Sequence, residues 1–359
     1  MSKHKILYLS KNMKSYGSAS YQQDVMDELI RQAQVYFYGP GFNSYDIKDS
    51  IDDVLAKTPF DPDVIILGHA WLNDTDGSEA DPHPQLQLAK PTIPKIAILN
   101  KEYTNLSAKL DYIKINRFDM GFTHHHDVDR YSKITGIEFT FLPFAFNPRK
   151  FDYEGEDKTI DVAFSGVLQN LNKDANQSDI RVKIMNNFFV TIFDVPIIKR
   201  KAYKNIDIFW NSIPRNKKAR YLSRLLNKRQ FLSHDDYAKM MRKTKIYINT
   251  LSPMGLVSPR FFESMASKSL VFCEESSLYK NIFPDDVLIE FKSDSSDFCE
   301  KLLSLVENES TSSGIIDKAY RHVHDNHTWE NRVSILLNEI FFDSSSKVSK
   351  PLGKSKDIN

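Results

Sequence analysis

Glycine is scarce in this chain, 12 in 359 residues, and no G-x-G-x-x-G follows an apolar run. That excludes the glycine-rich turn on which dinucleotide oxidoreductases carry a pyrophosphate. Gly353-Lys354-Ser355 matches only the end of a Walker A loop, with Val348 where the first glycine should stand, so a P-loop is excluded too. Cysteine is rarer still. Cys273 and Cys299 lack any ligand spacing, which excludes a disulfide framework or a cysteine metal site and fits a reducing compartment. No stretch approaches the ~20 apolar residues of a membrane span. The apolar run Ile6–Leu9 is too short for a signal peptide, so the expected location is cytoplasmic. A net charge of +1 excludes a chain that binds polyanions with its whole surface.

What remains is a composition of 41% apolar and 26% charged residues, that of a globular protein long enough for two ordinary domains. Short apolar runs punctuate it: Lys5–Leu9, Val35–Tyr38, Val64–Leu67, Ile96–Leu99, Met120–Thr123, then Ile160–Phe164, Ile246–Asn249 and Leu270–Cys273. Helical patterns at Tyr21–Ile30, Asp49–Ala56, Asp235–Lys243, Asp297–Val306, Ile315–Asp325 and Thr328–Phe342 alternate with them. Strands alternating with helices predict an α/β fold of two doubly wound parallel sheets. In such sheets ligands gather at the carboxyl ends of the strands.

Thr244–Ser276 organises the rest. A strand ending in Asn249, a turn with Pro253 and Gly255, a helix opened by Ser258-Pro259 and a second strand make one βαβ unit. Arg260 stands in the first helical turn, where a cation opposes the helix dipole, and Glu263 follows one turn on. A helix N-terminus with an arginine suits a phosphate, and a carboxylate beside it suits two ribose hydroxyls. The plain alternative is an i,i+3 surface pair contributing ~0.3 kcal/mol.

Asn249 with Ser258-x-Arg260-x-x-Glu263 resembles the nucleotide-sugar motif of GT-B glycosyltransferases of the family 1/4 type. Within them it is most similar to the spore-maturation-protein (CgeB-like) branch. His327-Thr328-Trp329 with Arg332 resembles that branch's closing segment. The resemblance implies that Glu263 binds the donor ribose and that Arg260 faces the diphosphate. It also implies that the small pair Ser165-Gly166, at the first loop of the second domain, admits the diphosphate to the backbone, with Arg181 as a further ligand. Many retaining members have a second glutamate where this chain has Gly255, which leaves inverting and retaining outcomes open.

Other candidates fall at strand ends. Tyr16–Ser20 is a loop of small residues after the first strand, either an ordinary turn or, as the resemblance implies, a part of the cleft on the acceptor side that holds Gly17 and Ser18. Glu102 and the run His124-His125-His126 end two further strands, so Glu102 and His124 are candidate bases. Alternation along an extended chain lets His124 and His126 share a ligand but not His125, and no cysteine or second histidine pair supports zinc. Asp74 and Asp76 lie in an acidic loop and are taken as solvated surface. Lys199–Arg229 holds eleven Lys and Arg residues among aromatics. It is either a solvated helical face or a contact with nucleic acid or an anionic surface.

The sequence thus predicts a metal-independent glycosyltransferase without cofactor, taking a nucleotide-sugar donor and a glycan or other acceptor. Residues 1–152 form the acceptor-side domain, 153–327 the nucleotide-sugar domain, 328–342 a returning helix and 343–359 a disordered tail. The rival readings are a sugar-nucleotide epimerase on the same fold and a non-catalytic protein binding carbohydrate or nucleic acid.

Overall fold

The computed structural model describes residues 3–15, 21–68, 92–99, 106–168, 180–214, 217–226, 232–252 and 255–343. Gly17, Ser18, Glu102, the Asp74–Asp76 loop and the tail from 344 lie outside these residues.

Six parallel strands form the first sheet among the described residues: β1 (Lys5–Leu9), β2 (Gln34–Tyr38), β3 (Val64–Leu67), β4 (Lys95–Leu99), β5 (Met120–Thr123) and β6 (Glu138–Phe141). Their order is β2-β1-β3-β4-β5-β6. Strands β3 and β4 are buried along their whole length, as expected of strands covered by helices on both faces. The connecting helices are α1 (Tyr21–Gln32), α2 (Ile51–Lys57), α3 (Leu106–Ile115) and α4 (Val128–Thr135). Helix α2 starts where Ser50 and Asp53 form a reciprocal capping box. A short helix, α5 (Pro148–Phe151), leads out of this layer.

The second sheet begins at β7 (Ile160–Val167). Helix α6 (Ile180–Phe188) and an antiparallel hairpin of β8 (Phe189–Ile192) and β9 (Val195–Lys199) precede β10 (Ile208–Ile213). Helices α7 (Lys217–Leu225) and α8 (His234–Arg242) lead to β11 (Thr244–Asn249), α9 (Pro259–Ala266), β12 (Leu270–Glu274) and β13 (Ile289–Phe291). The chain closes with α10 (Phe298–Glu307), α11 (Ser313–Asn326) and α12 (Trp329–Asn338). The sheet order is β10-β7-β11-β12-β13, so the chain leaves β7 on one side and resumes at β11 on the other. That reversal opens a crevice at the carboxyl ends of β7 and β11.

One expectation needs correction. The basic stretch from Lys199 is not one helical face. It runs through the end of β9, a 3-10 turn at Lys201–Tyr203 and strand β10, and is helical only from Lys217. Ile208, Phe209 and Trp210 have the β-branched and aromatic side chains that pair and pack better in a strand, and β10 hydrogen-bonds to β7. The charged segment Asp152–Lys158, which joins the two layers, is tied to the second one. Arg242 ion-pairs with Glu156, and Lys158 donates to the carbonyls of Thr244 (2.9 Å) and Ser267 (2.5 Å).

The last helices bind the two layers together. Phe146 N donates to His327 O and Trp329 N donates to Phe146 O, each at 3.0 Å. Arg332 donates through Nη2 to His327 Nδ1 (2.5 Å), and its burial pulls its pKa down to about 10. Helix α12 then lies on α1, where Gln32 donates to Glu330 O and Ser334 donates to Gln32 Oε1. One apolar cluster runs from Ile6 and Phe146 through Trp329 to Phe262 without a break. Thr328 caps α12 by accepting from Asn331 N at 3.1 Å. Thr328→Ala is therefore expected to cost about 1 kcal/mol of stability, measured by urea unfolding.

Candidate functional site

The carboxyl ends of β7 and β11 bring the sequence candidates together. Asn249 closes β11 and is buried. Its Nδ2 donates to Ser264 Oγ on α9 at 3.2 Å, which fixes the helix against the strand end. Ser258 occupies the N-cap of α9, with Pro259 at the first position, but its side chain makes no capping bond. Instead Ser258 Oγ lies 3.4 Å from Arg260 Nε as an acceptor. The hydroxyl is drawn to the cation and not to the first-turn amides of the helix.

Arg260 crosses from α9 to β7. Its Nη1 donates to Ser165 O at 2.5 Å. Gly166 makes that crossing possible, because a Cβ at position 166 would sit 2.4 Å from the same nitrogen. Arg181, expected as a diphosphate ligand, is buried. It donates to Thr250 Oγ1 (2.6 Å), Val167 O (2.6 Å) and Leu251 O (3.1 Å), so its guanidinium clamps the two strand-end loops. An arginine that supplies three donors in a fixed fork suits that task. Leu251 N in turn donates to Glu274 Oε1 at the end of β12.

Glu263 lies one turn below Arg260, but no ion pair joins them among the described residues. Its Oε2 accepts from Tyr237 OH on α8 at 2.8 Å. Burial pushes the Glu263 pKa up to about 7, against the lowering pull of Tyr237 and Arg260. Asp24 on α1 adds to that rise, and Lys150 on α5 opposes it. Lys150 and Asn147 both bond Asp24, at 2.5 and 2.8 Å, so this carboxylate is held where the first layer meets the second. Nothing in the spacing of Tyr237, Asp24 or Lys150 advertises this convergence. Ser233, which caps α8 by accepting from Asp236 N, fixes the register that turns Tyr237 inward.

Across the crevice, His124 and His126 line one narrow space of about 10 Å3 with Phe141, Gly255, Val257 and Leu278. His125 does not line it but stacks on His126 at 4.4 Å and accepts from Asp127 N through Nδ1. His124 lies 2.6 Å through Nδ1 from Leu142 O. A carbonyl can only accept, so Nδ1 carries the proton and Nε2 the lone pair. Burial lowers the His124 pKa to about 4, and the ring stacks on Phe144 at 3.9 Å. Gly255 has a left-handed φ of 75°, and its missing side chain would point to Leu278 and His126. Among the described residues no group of three His, Cys, Asp or Glu converges as metal ligands.

Residues 197–338 match the family model of glycosyl transferase-like domains. No curated protein matches the chain in sequence. Among solved structures, Anabaena Alr3699/HepE in complex with UDP and glucose is similar over 94% of this chain and 100% of its own, at 11% identity and a TM-score of 0.57. A glycosyltransferase from Rickettsia africae ESF-5 covers 97% and 100%, at 11% identity and a TM-score of 0.61. An alpha-glucosyltransferase in complex with UDP-glucose and DNA covers 95% and 100%, at 12% identity and a TM-score of 0.60. The fold is GT-B. At these identities the likeness extends to the fold and no further.

Two predictions test that crevice. Glu263 binds its proton more tightly folded than unfolded, so its contribution to stability is complete below its ordinary pKa and is lost as pH rises through about 7. The loss is on the order of 3 kcal/mol. Glu263→Gln should remove this slope, and urea midpoints between pH 5 and 8 would reveal it. Gly166→Ala should displace the Arg260 guanidinium and press on the buried Phe164 ring, at a cost of about 1–3 kcal/mol of stability. Any anion held by Arg260 should then bind at least tenfold more weakly, as read by titration calorimetry.

Proposed function

We propose that the protein is a glycosyltransferase that moves a sugar from a nucleotide-activated donor to an acceptor hydroxyl, without a metal ion. The observation that carries this reading is the convergence of Arg260, Gly166 and Glu263 at the switch point of the second sheet. Residues 153–327 hold the donor and residues 1–152 the acceptor, a glycan, with 328–342 bracing the two. The α9 N-terminus and Arg260 take the diphosphate, Glu263 takes the ribose hydroxyls, and Asn249, Ser258, Ser165 and Arg181 hold these groups in place. Gly17 and Ser18 are assigned to the acceptor side on sequence grounds alone. The similar structures in complex with UDP, glucose or UDP-glucose make UDP the first nucleotide to test.

In the transfer, the bond from the anomeric carbon to the phosphate oxygen breaks and its electron pair stays on the diphosphate. The acceptor oxygen forms the new bond. Arg260 and the helix-end amides stabilise the leaving charge, which is the task a metal performs elsewhere. For inversion, the acceptor proton passes to His124 Nε2, whose neutral state at pH 7 follows from its lowered pKa. Glu102 is assigned the same task on sequence grounds alone. For retention, the leaving phosphate takes the proton and His124 only orients the hydroxyl.

A thermal-shift panel of nucleoside diphosphates without metal tests the reading. UDP at ~100 times its dissociation constant should stabilise the protein by about 2.7 kcal/mol, and Glu263→Ala should abolish the shift. UDP affinity should rise with pH through about 7 in the wild type, since a ribose favours the carboxylate, and stay flat in Glu263→Gln. His124→Ala should lower kcat about 100-fold or more if it takes the proton, with the donor KM unchanged. Absence of any nucleotide shift sinks the catalytic reading.

A further inference from the structure

Seven of the twelve exposed large apolar side chains among the described residues fall between positions 190 and 226. They are not scattered. Val190 and Ile198 are cross-strand partners in the β8–β9 ribbon, and Ile192 lies two residues beyond Val190 on the same face. All three are exposed, whereas Phe189 on the opposite face packs against Trp210. Phe193 forms the tip at 63% exposure. Phe193 and Asp194 both have left-handed φ values, 49° and 59°, in a two-residue turn that usually carries Asn-Gly. A phenylalanine held in that conformation and left in solvent gives the fold nothing.

Helix α7 packs beside β9 and repeats the pattern. It buries the small residues Ala219 and Ser223 and exposes Tyr221 and Leu225, which stand one turn apart on one stripe. A surface helix ordinarily does the reverse. Between residues 189 and 226 there are nine Lys or Arg against two acidic residues, Asp194 and Asp207. Lys201, Lys204 and Arg224 are exposed alongside the apolar groups.

We propose that the β8–β9 hairpin and helix α7 form a docking surface for an anionic lipid bilayer. The apolar ribbon face and Phe193 enter the interfacial layer, and the flanking cations meet lipid phosphates. Charge complementarity selects an anionic partner, and the aliphatic side chains select one with an apolar phase. A nucleic acid meets only the first need. The hairpin lies apart from the crevice of β7 and β11, so the surface is independent of the glycosyl-transfer reading.

Sedimentation of the full chain with vesicles tests the proposal. Phosphatidylcholine vesicles and vesicles with 30 mol% phosphatidylglycerol are compared at about 100 mM salt, with a short DNA duplex followed by fluorescence anisotropy. The wild type is expected to bind the anionic vesicles, with little binding to the neutral ones or the duplex. Lys204→Glu/Arg224→Glu should weaken vesicle binding at least ~20-fold, at roughly fivefold for each charge. Val190→Ser/Phe193→Ser/Ile198→Ser should weaken it at least tenfold while leaving the melting temperature and any nucleotide shift unchanged. Phe193→Ser alone, at the tip and outside the core, serves if the triple variant fails to fold. Failure to bind anionic vesicles, or unchanged binding by the serine variants, overturns the proposal. Tight duplex binding that the charge variant loses and the serine variants keep assigns the patch to nucleic acid instead. A protein that sediments but shows no nucleotide shift keeps this surface and loses the transferase reading.

Discussion

The crevice depends on one cation placed where only a glycine leaves room for it. Arg260 reaches from the first turn of α9 over Gly166 to the carbonyl of Ser165. That contact sets the distance between the helix N-terminus and the end of β7, and so the width of the space an anion would enter. A guanidinium in the first turn gains nothing from its own helix dipole. Its position is held by the β7 backbone, and Arg181 holds that backbone by bonding both strand-end loops. Two arginines thus divide the work, one as brace and one as the charge facing the crevice.

Glu263 shows the opposite balance. A carboxylate with an exposed i,i+3 partner would keep an ordinary pKa, but here desolvation outweighs Tyr237 and Arg260 together and the group titrates near neutrality. Its environment is built by three elements distant in sequence: α8 through Tyr237, α1 through Asp24 and α5 through Lys150. The ion pair that the spacing also permits is not formed. A group buried as a near-neutral acid is poised to gain from a polar ligand, which would supply the hydrogen bonds that water no longer does.

The two layers are joined by a segment that is local in sequence and global in effect. His327 and Trp329 exchange backbone hydrogen bonds with Phe146, Arg332 donates to His327, and α12 runs on to α1. Because one apolar cluster continues across this junction, the relative position of the sheets is set by packing as well as by the chain crossing. The crevice is bounded on one side by the elements that carry Arg260 and Glu263. On the other stands the β5 end that carries His124.

Much of this was legible in the residues alone. Period-two and continuous apolar runs marked most strands of both sheets, and Ser258-Pro259 marked the start of α9, since backbone sterics and caps act over a few positions. The strand that leads to the three histidines was legible too, although His124–His126 form a bend beyond β5 and His125 stacks on His126. The hairpin β8–β9 and strand β10 were not legible, because a basic stretch with scattered aromatics suits a helical face as well as a ribbon, and pairing with β7 decided between them. The inward turn of Arg181 and the shifted titration of Glu263 were likewise beyond the sequence. Spacing along a chain fixes which side chains share a face. What each face meets, and how much water it keeps, is set by separate elements brought together by the fold, and that only the tertiary structure decided.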